Sequence, residues 1–129
     1  MRRALLVVGG VLNCLLAAFH VWLGVQIHTM AGLAPGQRAL MEMLNAGGTL
    51  TITFFAIASL GFAGDVLTTR LGALVLGVVA AFYLSRAIEE ILISPDFSAV
   101  IFGVCLAIAG FYLVLLVGSF RRPAASTAG

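Results

Sequence analysis

Charge is what this chain has least of. Only 9% of its residues are charged, against 62% that are hydrophobic, and the mean hydropathy is +1.17. A soluble domain of that composition would have no polar surface, so the sequence reads as one dissolved in lipid. Long loops are lacking as well: outside four apolar runs almost nothing remains, which leaves no room for a soluble domain. Cysteine is scarce, with two residues and no CxxC pair, so a membrane thiol oxidoreductase is disfavoured. Counting about 1.5 Å per residue puts Cys14 roughly 13 Å and Cys105 roughly 22 Å from the same membrane face. A disulfide tolerates a Cα separation of only about 7 Å. No basic block suggests nucleic acid, and a net charge of +2 means little beyond a topological bias.

Familiar catalytic signatures are missing too. There is no His-Glu-x-x-His zinc motif, no Gly-x-Ser-x-Gly nucleophile, and no Glu-x-x-His pair of the kind that builds di-iron carboxylate bundles. Arg2-Arg3 ahead of an apolar run resembles a signal peptide, but the run is too long and no small-x-small cleavage site follows it. Asn13 occupies the position before Cys14 where a lipoprotein acceptor has a small residue. The segment is therefore expected to be retained.

What is present is four stretches long enough to cross a bilayer: about 5–30, 37–62, 67–93 and 97–120. Ala31 to Gly36 form a Gly/Pro turn, Ala63 to Val66 hold the next reversal, and Ser94-Pro95-Asp96 separates the last two helices. Connections this short predict an all-α integral membrane four-helix bundle, antiparallel and up-down-up-down, over 1–122 as one domain. The small polar tail 123–129 is expected to be disordered. Arg2, Arg3, Arg70, Arg121 and Arg122 fall on the side of the termini, with Arg38 alone in the opposite loops. The positive-inside rule then puts both termini in the cytoplasm and the loops at Pro35 and Pro95 outside an inner membrane.

Against this apolar background, the ionisable residues inside the helices stand out. Counted inward from the outer ends, Glu42 comes at about 8 Å, Arg86 at about 10 Å, Asn45 at about 12 Å and His20 at about 15 Å, with Glu89 and Glu90 at about 5 to 6 Å. All lie in the outer half. A charge at membrane depth costs about 2.5 to 3.5 kcal/mol on insertion scales, so Arg86 is expected to pair with Glu42 or with Glu90 one turn away. Glu89 points about 100° from Glu90 and is expected to face the headgroups or a neighbouring subunit. His20, Glu42, Asn45, Arg86 and Glu90 are thus the candidates for binding a ligand or proton. A mononuclear metal site of His20, Glu42 and Glu90 is geometrically conceivable, whereas His20 and His28, about 12 Å apart along the axis, cannot share a metal. A haem would need a second axial group beside His20 that the chain does not obviously supply. No cofactor is implied.

Helical periodicity also gathers small or polar residues on single faces. Gly10, Asn13, Ala17, His20 and Gly24 share one stripe of the first helix; Glu42, Asn45, Thr49, Thr53 and Ala56 share one of the second. The third carries Gly72, Val75, Val79, Tyr83, Arg86 and Glu90 on one side, and the fourth Ala99, Gly103, Ala107 and Gly110. Small residues at this spacing let membrane helices approach closely, so Gly10, Ala17, Gly24, Gly103, Ala107 and Gly110 are expected packing positions.

The Gly/Pro first loop, the Asn45-Ala46-Gly47-Gly48 segment and Arg86 late in the third helix resemble the small four-helix bacterial membrane families of no assigned activity, over nearly the whole chain. Arg38 followed seven residues later by Asn45, together with Arg86, is similar to the membrane-associated eicosanoid and glutathione metabolism family, which would imply a glutathione-dependent enzyme. The chain departs from that pattern where Gly48 replaces a glutamate and Met41 a second arginine, and the inferred orientation is opposite. A likeness of fold alone does not carry the activity.

The leading expectation is a noncatalytic inner-membrane protein, either a homo-oligomer or an accessory subunit of a membrane complex. Its partners are then the lipid bilayer and further copies or other membrane subunits, with no nucleic acid. The alternative is a small carrier or membrane enzyme with an outward-opening pocket. There Glu42 and Glu90 would accept protons or cations, Arg86 would clamp an anion and His20 would shuttle protons.

Overall fold

The computed structural model describes residues 1–94 and 97–120. Pro95 and Asp96 of the expected last turn, Arg121 and Arg122, and the expected disordered tail lie outside the described residues. Helices are the only regular elements among the described residues: α1 (Arg2–Thr29), α2 (Pro35–Gly61), α3 (Ala63–Thr68), α4 (Arg70–Leu92) and α5 (Ala99–Phe120). The four long ones are each apolar and long enough to cross a membrane.

The caps explain the boundaries. Gly32 takes the left-handed conformation that turns the chain after α1, with φ of 83°. Pro35 sits in the first turn of α2, where its missing N–H costs nothing. Gln37 reaches back to accept from the Ala34 backbone N–H at 3.2 Å. At the end of α1 the Arg38 guanidinium donates to His28 O and, at 2.8 Å, to Met30 O, which supplies donors to carbonyls that the ended helix leaves free.

The second connection differs from expectation. The stretch taken for a reversal at Ala63 to Val66 is the start of a separate helix, α3, and the next long helix begins at Arg70 instead of Leu67. Thr69 makes the break. Its Oγ1 accepts from Gly72 N at 2.9 Å as an N-cap and donates to Asp65 O at 2.8 Å, tying α4 to α3. Gly72 completes the corner, since a Cβ there would lie 2.4 Å from Val66 O.

α2 folds back along α1 and α5 along α4; α1 against α5, with α3 beneath, joins the two pairs. Gly10 opposite Leu60 and Ser59, and His28 opposite Glu42, mark the two ends of the α1–α2 seam. Leu6, Phe55, Leu76, Val79, Tyr83, Ile108, Tyr112 and Leu115 form the centre of the core. The Phe55 ring of α2 meets Phe82 of α4 edge-on at 5.3 Å between centroids. Outside this core the surface is as apolar as the interior: Leu15, Leu50, Leu71 and Val100 are 63, 72, 70 and 75% exposed. A water-facing surface would carry polar groups at such positions.

Candidate functional site

The ionisable residues expected to converge are divided among local pairs. Glu42 Oε1 lies 3.0 Å from His28 Nδ1 across α1 and α2, at a largely exposed position. Arg86 pairs with Glu89, three residues on in the same helix, both about half exposed. The pairing expected between Arg86 and Glu42 or Glu90 is therefore corrected, Arg86 being paired with Glu89 instead. The cause is the arrangement of the helices: α4 lies along α5, whereas Glu42 lies on α2 against α1. Glu90, 7% exposed, is used elsewhere; its carboxylate accepts from the backbone N–H of Ser98 at 2.7 Å. Ser98 Oγ in turn accepts from Ile101 N at 3.3 Å. Together they satisfy donors at the start of α5, where a negative charge is also favoured by the helix dipole.

His20 and Asn45 do meet. His20 Nδ1 is 3.0 Å from Asn45 Oδ1, and Asn45 Nδ2 donates to His20 O at 2.9 Å. Because the amide donor is engaged by the carbonyl, the amide oxygen faces the ring, and this network assigns the proton to Nδ1. Nε2 then carries a lone pair and has no hydrogen-bond partner among the described residues. Small residues make the space: a Cβ on Gly24 would lie 3.0 Å from Asn45 Nδ2, and one on Gly48 3.5 Å from His20 Cε1. Thr49 Oγ1 closes the lane by donating back to Asn45 O at 2.7 Å.

The most deeply buried polar group is in the other half of the molecule. Asn13, with 0% exposure, donates through Nδ2 to Gly9 O at 2.8 Å and to Tyr112 Oη at 3.0 Å. Tyr83 Oη donates to Asn13 Oδ1 at 2.5 Å, and Ser59 Oγ and Tyr112 Oη lie 2.6 Å apart. This network takes one side chain from each of α1, α2, α4 and α5. Periodicity puts Asn13 and Tyr83 on buried faces but singles out neither Ser59 nor Tyr112. The available signal was that a phenol in an apolar helix needs a partner for its hydroxyl. Gly9 is the steric counterpart: a Cβ there would be 2.9 Å from the Tyr112 ring, so the phenol rests directly on the α1 backbone.

Of the expected packing positions, Gly10 and Gly24 lie against α2 and Ala17 is partly buried. Gly103 and Gly110 have open space where a Cβ would be, and Ala107 is exposed. Both cysteines are free, Cys14 exposed and Cys105 buried. Among the described residues no group of three His, Cys, Asp or Glu side chains could hold a metal ion, so His20, Glu42 and Glu90 do not form the conceivable site. Chemically, the arrangement offers a neutral four-helix hydrogen-bond network, an Arg86–Glu89 ion pair and two imidazoles, His20 and His28, each held through Nδ1 with no partner for Nε2 among the described residues. No protein-family model, curated protein or solved structure matches this chain.

Proposed function

We propose that this chain is a noncatalytic integral protein of the inner membrane, an antiparallel four-helix bundle with both termini cytoplasmic, working as a homo-oligomer or as an accessory subunit of a membrane complex. The observation that carries this reading is a contrast between two surfaces. Asn13, Tyr83, Tyr112 and Ser59 direct their hydrogen bonds at one another and so serve cohesion within the chain. α5 leaves Gly103, Ala107 and Gly110 uncovered, a smooth strip against which another helix could pack closely. Gly103→Leu or Gly110→Leu should break up an assembly seen on a native gel while the monomer still inserts. Crosslinking in native membranes that finds only isolated monomers would overturn the reading.

His20 favours a second reading. A histidine whose Nδ1–H is held by an amide and whose Nε2 is unengaged is prepared to accept a proton or bind a ligand. A small carrier or enzyme using this group would lose binding or transport in His20→Ala or Glu42→Gln without dissociating, and would tolerate the α5 substitutions. That opposite pattern separates the two readings.

A further inference from the structure

Along the outer seam of α4 and α5, at the end where Arg70 lies, runs an open groove of about 700 Å³. Ala73, Gly77 and Ala81, one turn apart on α4, keep one wall low, and Leu116 of α5 forms the other. A Cβ on Gly77 would sit 3.7 Å from Leu116 Cδ2, so the two walls come within van der Waals reach of each other there. Arg70, Thr69 and Ser119 stand at the mouth. The two hydroxyls already donate within the chain, Thr69 to Asp65 O and Ser119 to Leu116 O. Arg70 differs from Arg2, Arg38 and Arg86, each of which has a partner: it is exposed and makes no hydrogen bond or ion pair among the described residues. Asp65, the acidic side chain of α3, does not line the groove.

We propose that this groove seats one anionic glycerophospholipid, with its phosphate at Arg70 and an acyl chain along Ala73, Gly77 and Ala81. Charge complementarity selects an anionic headgroup, because an unpaired guanidinium beside an apolar channel matches a phosphate joined to a hydrocarbon tail. Length agrees. Arg70 to Ala81 spans about 17 Å of helix, close to one leaflet of a hydrocarbon core about 30 Å thick. The site is independent of whether the chain is a scaffold or a carrier.

The test uses the full chain in mild detergent, equilibrated with phosphatidylglycerol and phosphatidylcholine of identical acyl chains and read by native mass spectrometry. The wild type should retain phosphatidylglycerol with a preference of about fivefold, the factor that one arginine contributes near an anionic headgroup. Arg70→Gln should bring the two lipids to parity by lowering bound phosphatidylglycerol while bound phosphatidylcholine stays unchanged, since the guanidinium has no partner among the described residues whose loss would disturb the groove. Ala81→Trp, which blocks the apolar end, should reduce both lipids. Arg3→Gln, outside the groove, should leave the preference unchanged. The proposal is overturned by a wild type without preference, by a preference that survives Arg70→Gln, or by an equal loss in Arg3→Gln. It is also overturned if Gly77→Cys crosslinks two copies through the groove in native membranes, which would make the occupant a protein.

Discussion

Asn13 places both amide protons and its oxygen inside the protein, on Gly9 O, Tyr112 Oη and Tyr83 Oη. Asn13→Leu keeps the number of side-chain heavy atoms but leaves the buried Tyr83 hydroxyl without its acceptor and Tyr112 with Ser59 as its remaining partner, and a buried polar group left unpaired costs about 1 to 3 kcal/mol. Tyr83→Phe removes a single bond between helices, a loss averaging about 0.6 kcal/mol and reaching about 1.7 kcal/mol in membrane proteins. Reversible unfolding in mixed micelles should therefore rank Asn13→Leu well above Tyr83→Phe. The double variant should be no worse than Asn13→Leu alone, because the Tyr83 hydroxyl has already lost its acceptor. Strict additivity of the two losses would show that the bond does not form. Ionisable residues contribute differently at this scale. Arg86 and Glu89 balance each other on one helix, and the Glu42 carboxylate is hydrogen-bonded to His28 Nδ1, so their effect on the fold stays local.

The corner between α3 and α4 depends on two side-chain choices that an apolar helix would not otherwise need. At Gly72 an added Cβ meets backbone, Val66 O at 2.4 Å and Asp65 O at 2.5 Å, so relief requires moving a helix. At Gly10 the clash is with Leu60 Cγ and Cδ2 at 2.7 Å, atoms of a side chain that is 41% exposed and free to swing away. Gly72→Ala is thus expected to lower stability by about 1 to 3 kcal/mol, the usual range for overpacking, and Gly10→Ala by clearly less. Thr69→Ala, which removes the cap on Gly72 N, should cost about 1 kcal/mol. Thermal melts of the three variants in one detergent check the order, and a Gly72→Ala protein that melts like wild type would mean that α3 is not held against α4 in solution.

At the scale of the whole molecule, the arginine distribution makes a prediction about topology. By sequence position Arg2, Arg3, Arg70, Arg121 and Arg122 fall on the side expected to be cytoplasmic and Arg38 on the other, so single cysteines at Ala34 and Ser94 should react with an impermeant reagent in intact cells. The measurement needs a background in which Cys14 and Cys105 are replaced. Labelling only after lysis would invert the orientation and place the Arg70 groove in the outer leaflet.

How much of this could be read from the chain alone follows from the range of each interaction. Class, helical content and the four spans were legible, because hydropathy and length act over single segments and the scarcity of charge left no alternative. The contact of His20 with Asn45 was within reach, since a short loop makes α1 and α2 neighbours at matching depth. Depth, however, says nothing about which helices are adjacent. Glu42, Arg86 and Glu90 share a level and still find separate partners, because α4 was placed along α5 by packing that no single segment encodes. The same holds for Asn13, Tyr83, Tyr112 and Ser59. Each is an unremarkable polar residue on its own helix, and only the tertiary structure decides that four of them meet, because a hydrogen bond is made over about 3 Å and sequence periodicity fixes a face but not its neighbour.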